Sequence, residues 1–270
     1  MKAEFAKTLK AIRKEKGFTQ EYIANKIGVS FQSVSKWENG LSMPDMEILS
    51  RLADVLDTDL NTLSGYNQSS RNFYDKEYKK EEYFWGIKPS SMCYKVMEYL
   101  PPLQPYSVLD IGCGEGKDSV FFARNGYQVS GYDILQSGIE KAKGLARSCN
   151  VTVELFQADF KQFHPQSMYD VVFSSGTFYL MPQKIRGKLI DEYKGHTNIG
   201  GIHAINTFVE KPFIEDCFEK EKCCYWKSGE LLTYYSDWEI LFFEEKIFDC
   251  NSDGTWHKHC MDTMIARKKI

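Results

Sequence analysis

The sequence predicts two domains: an all-α, five-helix helix-turn-helix domain over residues 1–64 and an α/β, doubly wound (Rossmann-like) domain over residues 74–270, joined by a linker at 65–73. Three observations predict this. Up to residue 64, apolar residues recur at helical spacing with turn residues between the runs. The stretch Gly65-Tyr66-Asn67-Gln68-Ser69-Ser70 is polar and has little to bury, as a linker does. From Tyr106 onward, short β-branched runs alternate with amphipathic segments. That alternation is the pattern of βαβ units around a mostly parallel sheet, here closed by a terminal antiparallel hairpin. Residues 74–100 read as helical.

Composition bounds the function. A length of 270 residues accommodates one small and one medium domain. The net charge of −3 gives no whole-chain field toward nucleic acid or membrane, so any DNA binding rests on a local patch. No apolar run is long enough to cross a bilayer, and Met1–Phe5 lacks the apolar core of a signal peptide. The expectation is a cytoplasmic protein without a membrane partner. None of the 8 cysteines forms a CxxC pair, so they are expected as free thiols.

In the amino-terminal domain, Phe5, Leu9 and Ile12 share one helical face. Gly17 ends that helix and Thr19 caps the next, which buries Ile23, Ala24 and Ile27. Gly28 makes the turn and Ser30 caps a third helix, Phe31 to Glu38. There Val34 and Trp37 point inward, leaving Phe31, Gln32, Ser33 and Lys36 outward. Residues 1–36 carry eight cations against three acids, an excess of five positive charges.

The run from Gly17 to Leu56, with its SxxxVSKWENG stretch and Pro-Asp helix start, resembles the phage-repressor (Xre-type) DNA-binding domain across residues 5–64. The resemblance implies that the third helix enters the major groove of an operator in double-stranded DNA. Phe31, Gln32 and Lys36 would then read base edges, with Gln suited to adenine, Lys to guanine and Phe to a thymine methyl. Gln20 and Asn39 would hold phosphates. Such domains usually bind half-sites about one helical turn apart as dimers, which makes a homodimer an expectation.

The main chemical signal is Ser107-Val108-Leu109-Asp110-Ile111-Gly112-Cys113-Gly114-Glu115-Gly116-Lys117-Asp118-Ser119. An apolar strand runs into a glycine-rich turn and then a helix, so a ligand is expected at the carboxyl end of the strand. A dinucleotide fingerprint needs its third glycine at position 117, which is Lys; here that glycine is Gly116. Asp110 precedes the turn by two residues, and a carboxylate suits a cationic amino-acid ligand better than a pyrophosphate.

DxGxGxG resembles class I methyltransferases, which implies S-adenosyl-L-methionine as cofactor. Asp110, Gly112, Cys113, Gly114 and Gly116 would form the turn around it. Asp133, at the end of a second strand (128–132), would take the ribose hydroxyls, Ile134 beside it would also contact the cofactor, and Asp159 and Phe160 would take the adenine. Ser174, ending a fourth strand, would lie beside the sulfonium, and Asn198-Ile199-Gly200-Gly201 would be the turn before strand five. Val151–Phe156 reads as the third strand. Upstream, Tyr83–Ser90 resembles a segment that closes over the cofactor, with Trp85 and Lys88 as contacts.

Two later stretches, Gly229–Glu239 and Asp262–Lys269, resemble the tellurite-resistance methyltransferase family, and the likeness spans about residues 74–269. That family methylates small oxyanion or thiol-like acceptors, including tellurium and selenium species. It places a His-Arg pair where this chain has Phe248-Asp249-Cys250, and a later Arg where it has Trp256. The cations that would hold an anion are therefore absent from those positions. No catalytic residue is assigned; His257, His259, Tyr179 and Tyr234 are candidates to line the acceptor pocket. Cys217, Cys223 and Cys224 cluster, as do His257, His259 and Cys260, but neither spacing matches a standard site, so no metal is expected.

These observations lead to a DNA-binding transcriptional regulator fused to a small-molecule methyltransferase. Two alternatives stand beside it: a non-catalytic regulator that senses S-adenosylmethionine or S-adenosylhomocysteine, and a DNA methyltransferase. The last ranks lowest, because amino-methylating DNA enzymes end strand four in [DNS]PP[YFW] and this chain has Ser174-Ser175-Gly176-Thr177.

Overall fold

The computed structural model describes residues 2–58, 60–63, 73–214, 224–251 and 256–269. It divides into two units, Met1–Tyr74 and Asp75–Ile270. Residues 65–72 of the expected linker lie outside the described residues.

The described residues of the first unit form the helices α1 (Lys2–Glu15), α2 (Gln20–Ile27), α3 (Phe31–Glu38), α4 (Met46–Val55) and α5 (Leu60–Leu63). Their ends follow from local chemistry. The Thr19 hydroxyl accepts from the Tyr22 amide, and that of Ser30 from the Ser33 amide. Gly28 closes α2 in the left-handed region, at φ +75°. Asp45 caps α4 through the Ile48 amide at 2.8 Å. Phe5, Leu9, Ile23, Val34, Leu52, Leu56 and Leu63 form the core, all fully buried. One ionic contact runs through this core. Glu38, 6% exposed, accepts from Arg13 Nε at 2.5 Å, Arg13 Nη2 at 3.0 Å and Gln20 Nε2 at 2.6 Å.

The second unit is a seven-stranded sheet flanked by helices. Its strands are β1 (Ser107–Ile111), β2 (Gln128–Asp133), β3 (Glu154–Gln157), β4 (Tyr169–Ser174), β5 (Thr197–Phe208), β6 (Glu239–Cys250) and β7 (His257–Arg267). The order is β3-β2-β1-β4-β5-β7-β6. The first five strands pair in parallel, whereas β7 is antiparallel to both β5 and β6. The helices are α6 (residues 73–78), α7 (Ser91–Tyr99), α8 (Lys117–Arg124), α9 (Gln136–Ser148), α10 (Gln183–Gly195) and α11 (Glu230–Thr233). Alternate residues of the central strands feed two cores. Leu109, Ile111, Val172, Ile205 and Met264 enter one, and Val108, Val171, Phe173, Ala204 and Ile265 the other. Burial on both faces explains why these strands read as continuous apolar runs.

Three local expectations are corrected. Residues 74–100 do not form one helix: the chain turns through 79–90, where Gly86 adopts φ +66° and Pro89 cannot continue a helix. Strand β3 starts at Glu154 rather than Val151, because the Val151 amide is spent on Ala146 O at the end of α9. Asn198–Gly201 is not a turn ahead of β5 but an irregularity inside it. Thr197 pairs with Tyr169 and Ile202 with Val171, and the residues between loop out of the ladder. Gly200 and Gly201 bond instead to Lys268, just past the end of β7, through Gly200 N to Lys268 O at 3.0 Å and Lys268 N to Gly201 O at 2.9 Å.

The buried ion pair generates a prediction. Glu38→Gln leaves the Arg13 guanidinium without its counter-charge and should destabilise the first unit by ~3 kcal/mol. Trp37 is the one tryptophan in residues 1–74, so its resonance in fluorotryptophan-labelled protein follows this unit through denaturant unfolding. The expected result is an earlier Trp37 transition with the other tryptophan transitions unmoved; an unchanged Trp37 midpoint refutes it.

Candidate functional site

The glycine turn sits between β1 and α8. Gly112, Gly114 and Gly116 adopt φ of +70°, +53° and +84°, a region that residues with a Cβ rarely enter. Neighbours also fill the space where side chains would stand. A Cβ on Gly112 would lie 2.0 Å from Thr177 Oγ1, and one on Gly116 would lie 2.5 Å from Ala142 Cβ. The turn is held by its own backbone. The Gly112 and Cys113 amides donate to Tyr132 O at 2.9 and 3.0 Å, and Gly116 N donates to Cys113 O at 2.9 Å. The Cys113 side chain packs with Ile139, Ala142 and Leu155, so this residue offers the turn only its backbone.

Two acids brace the turn. Asp133, at the end of β2, accepts from Gly114 N at 3.0 Å and Leu135 N at 2.8 Å. Burial raises its pKa, and the bonds from the Leu135, Gly114 and Ile134 amides oppose that rise. Asp110 is 2% exposed, beneath the turn, where Ser119 Oγ donates to it at 2.5 Å. Burial first, then repulsion from Asp118, pushes Asp110 up to about 7. The structure therefore puts Asp110 into the seam between β1 and α8 rather than on an open ligand surface.

The segment before α7 straps onto this turn, and most of its anchors were not singled out from sequence. Ser137 Oγ donates to Asp75 at 2.8 Å. Trp85 Nε1 donates to the Tyr78 hydroxyl at 3.0 Å, and that hydroxyl lies 3.1 Å from where a Gly114 Cβ would be. Glu115, 2% exposed, accepts from Trp85 N at 3.2 Å and Lys141 Nζ at 2.7 Å, and Lys141 also donates to Glu82 O. Asp118 accepts from Ser90 N at 2.7 Å. Trp85 is thus tied to the turn region, while Lys88 is exposed. Trp85 carries a signal in the sequence, whereas Tyr78 and the contacts of Asp75 with Ser137, Glu115 with Trp85 and Lys141, and Asp118 with Ser90 do not; those contacts span 26 to 62 residues.

Farther along the sheet, Ile134 is half-buried and its carbonyl accepts from Gln157 Nε2 at 2.9 Å. Asp159 accepts from Lys161 N at 2.9 Å and lies on the wall of an open cleft with Phe156, Gln162 and Phe163. Phe160 packs against the core beside it. Ser174, fully buried, donates to Ile111 O at 3.1 Å and so locks β4 to the strand that carries the turn. Asn206 then fixes the chain leaving β4, accepting from Gly176 N at 2.6 Å and donating to Ser175 Oγ at 3.3 Å.

Of the acceptor-side candidates, Tyr179, His257 and His259 come together. The Tyr179 ring meets Phe208 at 4.9 Å, Phe208 meets His259 at 4.6 Å, and His259 Nε2 lies 2.9 Å from His257 Nε2. Tyr234 does not join them; its ring packs 5.7 Å from Trp226, over α10 at Gly187. Cys260 is 2% exposed on the opposite face of β7, and Cys250 takes its expected place beside the two imidazoles. Cys217 and Cys223 lie outside the described residues. Near the same end of the sheet, Asp262 is fully buried opposite Glu245. Burial first and the Glu245 charge second push Asp262 up to about 7. Glu245 is lowered by hydrogen bonds from Lys211 and Ser228.

In the first unit, Phe31, Gln32 and Lys36 are exposed along α3, with Phe31 at 41%. The two expected phosphate ligands already have internal bonds. Gln20 donates to Glu38, and Asn39 Nδ2 donates to Ser35 O at 2.9 Å.

Comparison with known proteins follows this division. Residues 71–263 match the sequence model described as tellurite resistance protein TehB, and residues 9–63 match that described as helix-turn-helix. A probable S-adenosyl-L-methionine-dependent methyltransferase TehB of Haemophilus influenzae is 25% identical over 226 residues, 80% of this chain and 73% of the relative. The crystal structure of TehB from Haemophilus influenzae superposes with a TM-score of 0.59 at 23% identity, covering 73% of this chain and 66% of that one. A Burkholderia thailandensis 1,6-didemethyltoxoflavin-N1-methyltransferase with bound S-adenosylhomocysteine gives 0.57 at 15% identity, covering 76% and 87%. No helix among the described residues is long and apolar enough to cross a membrane.

The Asp262 environment predicts a pH dependence. Its folded pKa of about 7 exceeds the ordinary value of 3.8, so the folded state holds the extra proton between those limits. Wild-type stability should therefore fall as pH rises from about 4 to about 7 and level off above. Melting temperatures across this range should show that fall to be shallower in Asp262→Asn; parallel pH profiles for the two proteins would refute the assignment.

Proposed function

From its membership of the TehB tellurite-resistance family, to which the chain belongs, we propose that this protein is a transcriptional regulator that binds an operator through α3 and transfers methyl groups to a small acceptor from S-adenosylmethionine. The carrying observation is the Asp133 carboxylate beside the glycine turn. Its two oxygens each take a backbone amide, Gly114 N on one and Leu135 N on the other, with Ile134 N also near, and a carboxylate offers about four acceptor positions, so it keeps capacity for a ligand hydroxyl. That capacity fits the ribose of the cofactor. The left-handed glycines keep side chains off the turn, so backbone alone borders the ligand.

Roles follow for the remaining groups. Asp133 orients the ribose, Ile134 and Phe160 offer apolar surface to the adenine, and Asp159 accepts from its amino group. Bound S-adenosylmethionine supplies a methyl group on a positively charged sulfur, an electrophile that needs no activation by the protein. Ser174 and Asn206 hold the β4 end rigid, and alignment of the acceptor there supplies much of the rate. Tyr179 and His259, with Phe208 between them, border the acceptor side. The tellurium or selenium oxyanion is the acceptor the family name suggests. Phe248-Asp249-Cys250 in place of the family's His-Arg pair favours a thiol-like or otherwise uncharged one. The same replacement favours the sensor reading, in which the cofactor or its demethylated product modulates DNA binding without turnover.

On the DNA side, exposed Phe31, Gln32 and Lys36 are the base readers, and two chains bind half-sites about one helical turn apart. Calorimetric titration of the full chain with S-adenosylmethionine and S-adenosylhomocysteine tests the cofactor half. Micromolar binding that weakens at least tenfold, about 1.4 kcal/mol, in Asp133→Ala is expected. No binding by folded protein, or binding indifferent to the substitution, overturns it. A low-salt gel shift against a random duplex pool tests the other half. Enrichment of palindromes is expected, and the absence of any shifted duplex removes the DNA reading. Methylated product with any acceptor excludes the sensor.

A further inference from the structure

The β6–β7 hairpin gathers three metal-ligating side chains that are separated in the sequence. His257 and His259 stand two residues apart on β7 and so project from the same face. Cys250 on β6 is the register partner of His257, and directly opposed residues of an antiparallel pair share a face. One donor atom from each of Cys250, His257 and His259 lies within 4.8 Å of the others, and all three residues are half-buried. The two Nε2 atoms are 2.9 Å apart.

We propose that Cys250, His257 and His259 form a binding site for a borderline-soft divalent metal ion, with zinc the ion best suited to one thiolate and two imidazoles. The site stands on the hairpin geometry alone and holds whether or not the chain transfers methyl groups.

Small movements complete it. Two imidazole nitrogens on a tetrahedral zinc stand about 3.3 Å apart and a thiolate sulfur about 3.6 Å from each, given the usual bond lengths. The histidine pair must open by a few tenths of an ångström, and Cys250 must close by about 1 Å at most. On binding, the Cys250 thiol loses its proton to solvent and the Nε2–Nε2 contact gives way to two nitrogen–metal bonds. Three protein ligands leave a fourth position for water or an incoming donor, as in an open zinc site.

The surroundings favour a bound ion. Phe208 and Phe248 pack on the His259 ring at 4.6 and 5.8 Å, which orients it and excludes water from one side. The site also has a meaningful address. Phe208, the last residue of β5, pairs with Met261, and Val209 N donates to Cys260 O at 2.9 Å. Residues 257–259 therefore lie at the carboxyl end of β5, the edge of the sheet that carries Ser174, Asp133 and the glycine turn. A soft, electron-rich acceptor such as a thiol could occupy the fourth position there.

The test uses tag-free full-length protein stripped with chelator. Zinc is titrated against a chromophoric competitor, and cobalt(II) is added as a spectroscopic probe. One zinc per chain is expected, weakened at least tenfold by each of Cys250→Ser, His257→Ala and His259→Ala. Cobalt should give an intense thiolate-to-metal charge-transfer band that Cys250→Ser removes and Cys260→Ser retains. Thermal melting of each metal-free variant checks its fold. Absence of that band in the wild type overturns the proposal without reference to any variant. So does zinc binding that survives in folded Cys250→Ser, which places the metal elsewhere.

Discussion

The bond between the Asp133 carboxylate and the Gly114 amide joins the end of β2 to the turn after β1, and much of the second unit is arranged around that junction. A carboxylate desolvated at this place would be costly unless its oxygens met donors. The turn supplies them, and in return is held open in a backbone shape available to glycine. Gly112 and Cys113 complete the tie by donating to Tyr132 O, one residue before Asp133. The junction couples the parallel register of β1 and β2 to the position of α8, because Ser119 of that helix reaches back to Asp110 on β1.

The strap over the turn depends on the same arrangement. Glu115 and Asp118, inside the turn and on the first turn of α8, receive the amides of Trp85 and Ser90. Tyr78 covers Gly114 closely enough that a side chain there would displace it. The turn thus presents a packed protein face toward Ala142, Thr177 and Tyr78. Positive φ at all three positions, with Thr177 and Ala142 standing where the Cβ atoms of residues 112 and 116 would be, favours glycine throughout the turn.

Much of this architecture was legible in the sequence because it rests on short-range rules. The caps at Thr19 and Ser30, the left-handed Gly28 and the inward Val34 and Trp37 are encoded within a few residues of where they act. The strand–turn–helix at 107–124 and the acid ending β2 carry the same kind of local signal. What escaped depends on tertiary contact. The break at 79–90 is marked by Gly86 and Pro89, but the anchoring of this segment on α8 and α9 has no local signal. The looped-out residues of β5 find partners at the far end of β7, a pairing no spacing rule contains. The grouping of Cys250 rather than Cys260 with the two histidines is a matter of hairpin register and face, which the spacing of the ligands in sequence conceals.

The turn is preformed by its junction with β2. Amide hydrogen exchange of the full chain without ligand, resolved at Gly112, Cys113 and Gly114, tests this most directly. Protection at all three amides comparable to the neighbouring strand β1 is expected, with Gly114 protection lost in Asp133→Asn. Exchange at all three as fast as that of exposed loop amides would contradict it, and would make the turn a structure that forms only on binding.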